Sequence, residues 1–318
     1  MISESHLRPT RLIQQDGAIK FCLSAGHFAS RELETESIII PMRNYHGQRW
    51  YTLCISSQVG CRMGCTFCQT GRMGLLANLS ADQIVIQFTT AQEILRRQAD
   101  RSEAAEPGLR NVVFMGMGEP LDNFNAVVAA IRILNDPAGL NVPLSRITIS
   151  TVGRVDGIRK LAELRWTSLR LAISLTAADD ALRNELMPVN RAMPLAELKE
   201  ALLDYPRTRR TRFFIEYVLL KDVNDSEHHA DALAAWCESL PVRVNVIAYN
   251  PQQPAAYQTP DDQTIVAFIL HLRQKGILAK RRVTIGRDVF GACGQLGNTE
   301  FHRKELLASG GAAASAAQ

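Results

Sequence analysis

The chain has 318 residues, 46% hydrophobic and 21% charged, with a formal net charge of +4 and a pI near 8.7. That apolar content supports one large core and excludes a disordered chain, while the small basic surplus permits a polyanionic partner without requiring one. The opening MISESHLRPTRLIQQDG has no basic start leading into an apolar run, and no stretch of about 18 apolar residues follows, so neither export nor a membrane partner is expected and the cytoplasm is.

Residues 1–50 form an N-terminal extension, predicted to hold a strand at SIIIP (37–41) and a small sheet. From residue 51 to about 300, β-rich runs alternate with segments of helical period. Strands are predicted at 52–58, 111–117, 146–153, 169–177, 212–220, 242–250 and 281–286. Between them, apolar residues recur three or four apart in 84–98, 125–135, 156–164, 195–204, 226–240 and 262–276, which predicts helices. Ser80 followed by Gln83 has the form of a capped start for the first of these. The rhythm gives an α/β fold, a partial (β/α)6 barrel with a short N-terminal extension. Residues 301–318 end in a small-residue, low-complexity run and are expected to be a disordered tail.

In such barrels the loops after the strands open on one mouth, and the chemistry-bearing residues of this chain sit there. Seven cysteines, at 22, 54, 61, 65, 68, 237 and 293, are an odd number without an export signal, which points to metal or redox chemistry and away from a disulfide framework. Three of them form CRMGCTFC after the first barrel strand: Cys61, Cys65 and Cys68. Three thiolates on one loop hold three irons of a cubane and leave the fourth open to a chelating small molecule. A zinc site would need a fourth ligand, and His46 is the only nearby histidine. GMGEP (116–120) follows the second strand; Gly118 lets backbone approach a ligand, and Glu119 can pair with an ammonium group. Ser150, Ser174 and Asn250 end later strands, where they can bond a ligand or cap a turn.

CxxxCxxC after a first strand, with aromatic Phe67 before the last cysteine, resembles the radical S-adenosylmethionine (SAM) superfamily. The resemblance implies a [4Fe-4S] cluster whose open iron binds the amino and carboxylate groups of SAM and cleaves it to a 5′-deoxyadenosyl radical. It carries cofactor contacts onto Gly118, Glu119, Ser150, Ser174, Leu175, Thr176 and Asn250.

Two further cysteines narrow the family. Cys54 lies in TLCISSQVGC, and Cys293 in GACGQL is flanked by glycines that let a thiolate reach the mouth; Cys22 and Cys237 read as small core residues. Together with VVFMGMGEPLDN, RITIST, LAISL, FFIEYVLLKDVNDS and YNP, these segments are similar to the RlmN/Cfr family of adenine methyltransferases over about residues 36–300. That resemblance implies methylation of Cys293 by one SAM, hydrogen abstraction from the thiomethyl group through a second, and addition of the carbon radical to C2 or C8 of an adenine. Cys54 would then displace the product through a transient disulfide. Glu36 in ESIIIP matches the proton acceptor. The implied partners are 23S rRNA and/or tRNA and an electron donor such as flavodoxin.

Thr176 stands where the family often has histidine, the approach to Cys293 lacks the family's Arg-Gly opening, and few residues precede Cys54 for an RNA-gripping domain. Two basic clusters, Arg207/Arg209/Arg210/Arg212 and Lys280/Arg281/Arg282/Arg287, are expected near the barrel mouth, facing RNA phosphates or solvent. The alternatives are a radical methylase of a peptide or small metabolite, and a non-catalytic iron-sulfur or zinc RNA-binding module. A binding module has no need of Cys54 and Cys293.

Overall fold

The computed structural model describes residues 8–28, 31–100, 107–252, 255–282 and 291–298. Three antiparallel strands come first: β1 (Arg11–Gln15), β2 (Ala18–Phe28) and β3 (Arg31–Arg43). β3 turns through 44–48 into β4 (Arg49–Ile55), the first barrel strand. Short strands β5 (Gln58–Val59) and β6 (Ala77–Asn78) pair with each other around the cysteine loop, with α1 (Gln69–Met73) between them. The βα succession follows as α2 (Ala81–Ala99), β7 (Leu109–Phe114), α3 (Phe124–Asn135), β8 (Ile147–Thr151), α4 (Val155–Glu163), β9 (Arg170–Ser174), α5 (Asp180–Leu186) and α6 (Leu195–Leu203). It closes with β10 (Phe213–Leu219), α7 (Glu227–Cys237), β11 (Val242–Ala248), α8 (Asp262–Gln274) and β12 (Ala279–Arg281).

All these strands except β5 and β6 make one sheet in the order β1-β2-β3-β4-β7-β8-β9-β10-β11-β12, parallel from β4 onward. The expected six-strand parallel core is present, with the short β12 beyond it. The N-terminal residues do not form a separate sheet: β3 pairs with β4 from Ile38↔Cys54 to Arg43↔Arg49, so the extension continues the barrel sheet. The reason is local. Ile38, Ile39 and Leu53 are apolar and buried across that seam, and stacking them leaves no edge between extension and barrel. Of the last expected strand, residues 283–286 lie outside the described residues, as does the tail 301–318.

Side chains of paired residues share a sheet face and alternate along each strand. Ile147, Ile149, Leu171, Ile173, Ile215, Tyr217, Val244 and Val246 are buried on the helix-facing side. The other side carries Ser150, Ser174, Glu216 and Asn245, so the barrel interior is polar where a ligand has to be held. Helix α2 begins as expected: the Ser80 hydroxyl accepts from Gln83 N at 3.2 Å, and Ser80 N donates to Gln83 Oε1 at 2.9 Å.

Arg183, on the short helix α5, is fully buried and among the described residues forms no ion pair with a carboxylate. It donates to Leu175 O (3.1 Å), Asn190 Oδ1 (2.6 Å) and Val152 O (2.6 Å), tying the ends of β8 and β9 together. Burial holds its pKa down to about 10, against attraction from Cys65 and Asp180. Arg183→Met leaves those acceptors unbonded in a dry interior and is expected to cost about 3 kcal/mol, read as a lower urea midpoint at unchanged m-value. A midpoint within error of wild type would remove Arg183 from the framework.

Candidate functional site

The cysteine loop is fixed before any ligand arrives. Gly60 has φ +73°, and a Cβ there would lie 1.9 Å from Gly74 O; that close approach lets Cys61 N donate to the same carbonyl at 3.1 Å. Thr66 N donates to Leu186 O at 3.0 Å, and the Thr66 hydroxyl bonds Tyr257 at 2.7 Å. Asp122 accepts from both Arg62 and Arg154, joining the loop to the end of β8. Its three cysteines line one partly open cavity of about 150 Å³ at the carboxyl ends of the strands.

That cavity is also lined by Gly118, Glu119, Ser150, Ser174, Thr176 and Cys293, so one site collects most of the residues singled out from sequence. Gly118 (φ +97°) packs against Gln58, where a Cβ would meet the side chain at 2.5 Å; Gln58 Oε1 accepts from Glu119 N at 2.8 Å. The Glu119 carboxylate is buried, accepting from Leu121 N (3.1 Å) and Val152 N (2.9 Å). Burial raises its pKa to about 7 although those amides favour the charged form. Ser150 and Ser174 hydroxyls stand 3.5 Å apart on adjacent strands. Thr176 has φ +59°, an uncommon backbone state for a β-branched residue, and its buried hydroxyl has no partner among the described residues. The Tyr249 hydroxyl on the same lining is also without one.

Two residues stand apart from that lining. Leu175 is fully buried, its amide donating to Glu216 O at 3.0 Å and its carbonyl accepting from Arg183. Asn250 lies beside a second, smaller cavity and donates to Cys293 O at 3.2 Å. Cys54, Arg282 and Cys293 line that smaller cavity, and Cys293 and Arg282 border both.

The segment 291–298 is held over the barrel by its backbone. Gly294 O accepts from Gln69 N (2.9 Å) and Gln252 Nε2 (3.1 Å), while Leu296 O accepts from the Thr70 hydroxyl (2.6 Å). Gly297 N donates to Glu36 Oε2 at 3.1 Å, and that carboxylate is ion-paired with Lys20 at 2.8 Å. Glu36 is buried, borders neither cavity and acts here as a tether for the Cys293 segment. All seven cysteines are free thiols, so no Cys54–Cys293 disulfide is present. Burial, with a smaller contribution from Cys293, pushes the Cys54 thiol up to about 12, so it is protonated at neutral pH.

Arg282 belongs to a basic run in the sequence, expected near the barrel mouth and facing RNA phosphates or solvent, but turns inward, 3.2 Å from Glu216 Oε2; its pKa is raised chiefly by the neighbouring Cys293. Arg281 pairs with Asp262 at 2.8 Å. Arg207, Arg209, Arg210 and Arg212 sit between α6 and β10, at the amino end of that strand and the opposite end of the barrel from the cysteine loop. Connections alternate between the two ends of a parallel barrel, and this one leads into a strand. Arg287 lies outside the described residues. Sequence reasoning misses Glu216, although an acid inside the apolar run FFIEYV is itself a signal of a buried partner.

The residues fit an iron-sulfur cluster and a small polar ligand. Three thiols face one cavity, and two buried hydroxyls on its wall await partners. Among the described residues no three His, Cys, Asp or Glu side chains converge on a point the size of one ion. Thiolates at three corners of a cubane need no such convergence. Burial raises the thiols of Cys61, Cys65 and Cys68, and ligation to iron supplies the charge that releases their protons.

Comparison with known proteins agrees with this geometry. Residues 55–234 match the Radical SAM superfamily. A probable dual-specificity RNA methyltransferase RlmN of Protochlamydia amoebophila is 44% identical over 86% of this chain and 72% of its own length. The dual-specificity RNA methyltransferase RlmN of Desulfotalea psychrophila is 41% identical over 90% of this chain and 76% of its own. The crystal structure of a radical SAM methyltransferase from Sphaerobacter thermophilus superposes with a TM-score of 0.79 at 37% identity, over 91% of this chain and 80% of that one. With its cysteine loop, its barrel and these relatives in agreement, the chain belongs to the radical SAM superfamily and, within it, to the RlmN/Cfr family of methyltransferases.

Proposed function

We propose that this protein methylates an adenine carbon, C2 or C8, of 23S rRNA and/or tRNA, working in the cytoplasm with an electron donor such as flavodoxin. The observation that carries the reading is the sharing of one cavity by Cys61, Cys65, Cys68 and Cys293, with Cys54 next door to Cys293. Among the described residues no helix is long and apolar enough to cross a membrane.

Cys61, Cys65 and Cys68 would hold the [4Fe-4S] cluster. Bound there together, cluster and SAM supply one-electron chemistry able to remove a hydrogen atom from an unactivated methyl group. Such chemistry is required because an amidine carbon of adenine is too poor a nucleophile to attack a sulfonium directly. Glu119 receives the ligand's ammonium group, and Gly118 keeps the space for it. Ser150, Ser174 and Thr176 offer hydroxyls to its ribose and carboxylate, the Thr176 hydroxyl replacing the histidine common in the family. Asn250 acts one step back, by fixing the carbonyl of Cys293.

Cys293 carries the methyl group on its sulfur and presents it to the base. Cys54 then attacks that sulfur, so that a Cys54–Cys293 disulfide forms as the bond from sulfur to the transferred carbon breaks, and that carbon keeps the electron pair and takes up a proton to become the product's methyl group. The buried Cys54 thiol has to lose a proton first, a loss eased by the nearby Arg282 guanidinium. For Glu36 to accept the proton that the family resemblance assigns it, the carboxylate must leave Lys20 and Gly297.

The decisive experiment incubates anaerobically reconstituted protein with SAM, a reductant and either ribosomal RNA or tRNA, then digests the RNA to nucleosides for mass spectrometry. A singly methylated adenosine that co-elutes with a C2 or C8 standard is expected. Deoxyadenosine formed with neither product in either RNA would overturn the proposal.

A further inference from the structure

The parallel strands share a feature that the cysteine chemistry does not use: each from β7 onward opens on a basic residue. Arg110, Arg170, Arg243 and Lys280 are the second, first, second and second residues of β7, β9, β11 and β12; Arg146 and Arg212 immediately precede β8 and β10. Register places Arg170, Arg243 and Lys280 inside the barrel. Cys54 pairs with Val113, Val113 with Thr148, and Thr148 with Arg170; Ala172 pairs with Phe214, Phe214 with Arg243, and Asn245 with Lys280. Arg146 ends the short 3-10 turn that leads into β8 and lies close enough to Arg170 for the two charges to interact. Arg170, Arg243 and Lys280 therefore line the wall that carries Ser150, Ser174 and Cys54, at the opposite end of the strands, with Arg146 beside Arg170.

These cations are close enough to repel one another. Burial first, then neighbouring arginines, lowers the pKa of Arg146 and Arg170, and Lys280 is lowered in the same way. Among the described residues no carboxylate forms an ion pair with Arg110, Arg146, Arg170, Arg243 or Lys280. Glu216, on the same wall, is already engaged by Arg282 and by Asn245 at 2.7 Å. The half-buried guanidiniums of Arg146, Arg170 and Arg243, with the exposed Lys280 ammonium beside them and no ion-paired counter-charge, oppose folding, and their natural complement is an anion with several charges at regular spacing.

Aromatic rings stand at the same end. The Arg110 guanidinium lies 5.1 Å above the Trp50 ring at the start of β4. The β3–β4 turn beside it carries Tyr45, 93% exposed, with the His46 ring 3.9 Å away. The carboxyl end, by contrast, is narrowed by the cysteine loop and the hydrogen-bonded segment 291–298, which leave the cavity there only partly open.

We propose that RNA enters this barrel from the amino ends of its strands, with successive phosphates on Arg146, Arg170, Arg243 and Lys280 and a loop base stacked on Tyr45, so that one adenine reaches up the interior to Cys293. The inference rests on the RNA reading above and deepens it. It also gives the Arg207–Arg212 loop, found at that same end, a place in the path.

The test uses reconstituted full-length protein and a fluorescently labelled RNA stem-loop with adenosines in its loop, titrated over a range of salt. Arg146→Gln/Arg170→Gln/Arg243→Gln should lower the slope of log affinity against log salt by about 2, near 0.7 for each phosphate no longer neutralised, and weaken low-salt binding on the order of 100-fold. Arg146→Lys/Arg170→Lys/Arg243→Lys should keep the wild-type slope. Tyr45→Ala should weaken binding about tenfold with the slope unchanged, as removal of a stacking platform does. A glutamine variant with wild-type slope and affinity overturns the entry path. Should that variant not fold, photocrosslinking of 4-thiouridine RNA to the wild-type protein decides: crosslinks at residues 43–50 and the strand starts support the path, and crosslinks confined to the outer helices or to carboxyl-end loops overturn it. Wild-type protein that methylates RNA while failing these arms sinks only the path; protein that neither binds nor methylates any RNA sinks the functional reading itself.

Discussion

Cys293→Ala is expected to abolish methylated adenosine, a loss on the order of 10³-fold or more, while iron content and thermal midpoint stay at wild-type values. The separation follows from how the segment is held. Its anchors are the carbonyls of Cys293, Gly294 and Leu296 and the amide of Gly297, none of which the substitution removes. Among the described residues the half-buried Cys293 thiol is the only thiol bordering both cavities, so nothing else can take its place between cosubstrate and base. Cys54→Ala is the informative partner. If Cys54 resolves the adduct, this variant should trap a covalent protein–RNA species that runs as an RNase-sensitive shift on denaturing gels. Wild-type product from Cys293→Ala, or an absence of adduct in Cys54→Ala under turnover, would remove that thiol from the mechanism.

Cys65→Ala should act earlier and more broadly. Cys65 is 6% exposed, on a loop pinned by Thr66 and by the Arg62–Asp122 pair, so one missing thiolate cannot be replaced by a neighbour swinging in. The purified variant is expected to hold little iron, to lack cubane absorbance and to give no deoxyadenosine above background, with RNA affinity within about twofold of wild type. Full iron content in this variant would mean that the cluster has another ligand set. RNA binding that collapses together with the iron would mean that the cluster loop shapes the RNA surface, contrary to an entry path at the other end of the strands.

Much of this site is legible in the sequence because its signals are local. The CxxxCxxC spacing, the GMGEP turn and the strand-end serines each lie within a few residues, and βα rhythm alone assigns them to one end of a barrel. Pairing across the fold is not legible. Nothing near Glu36 reveals that Lys20 faces it across β2 and β3, or that Gly297 donates to it from 261 positions away. Arg282 sits in a basic run, AKRRV, and only strand alternation turns it inward while Arg281 faces out to Asp262. The basic starts of successive strands are visible as letters, but their meaning needs the register that puts them side by side. Helix α5 escapes a reading by periodicity because seven residues are too few to show a period.

The Glu36 tether gives the N-terminal meander a stake in the chemistry. A single strand, β3, separates the strand of Lys20 from the barrel's first strand, and the Lys20 ammonium steadies the carboxylate which fastens the lid bearing the methyl-carrying sulfur. Fraying of β2 would therefore be felt as a wandering thiol at the far terminus before the barrel itself loosened, making the first fifty residues a latch for the last stretch described.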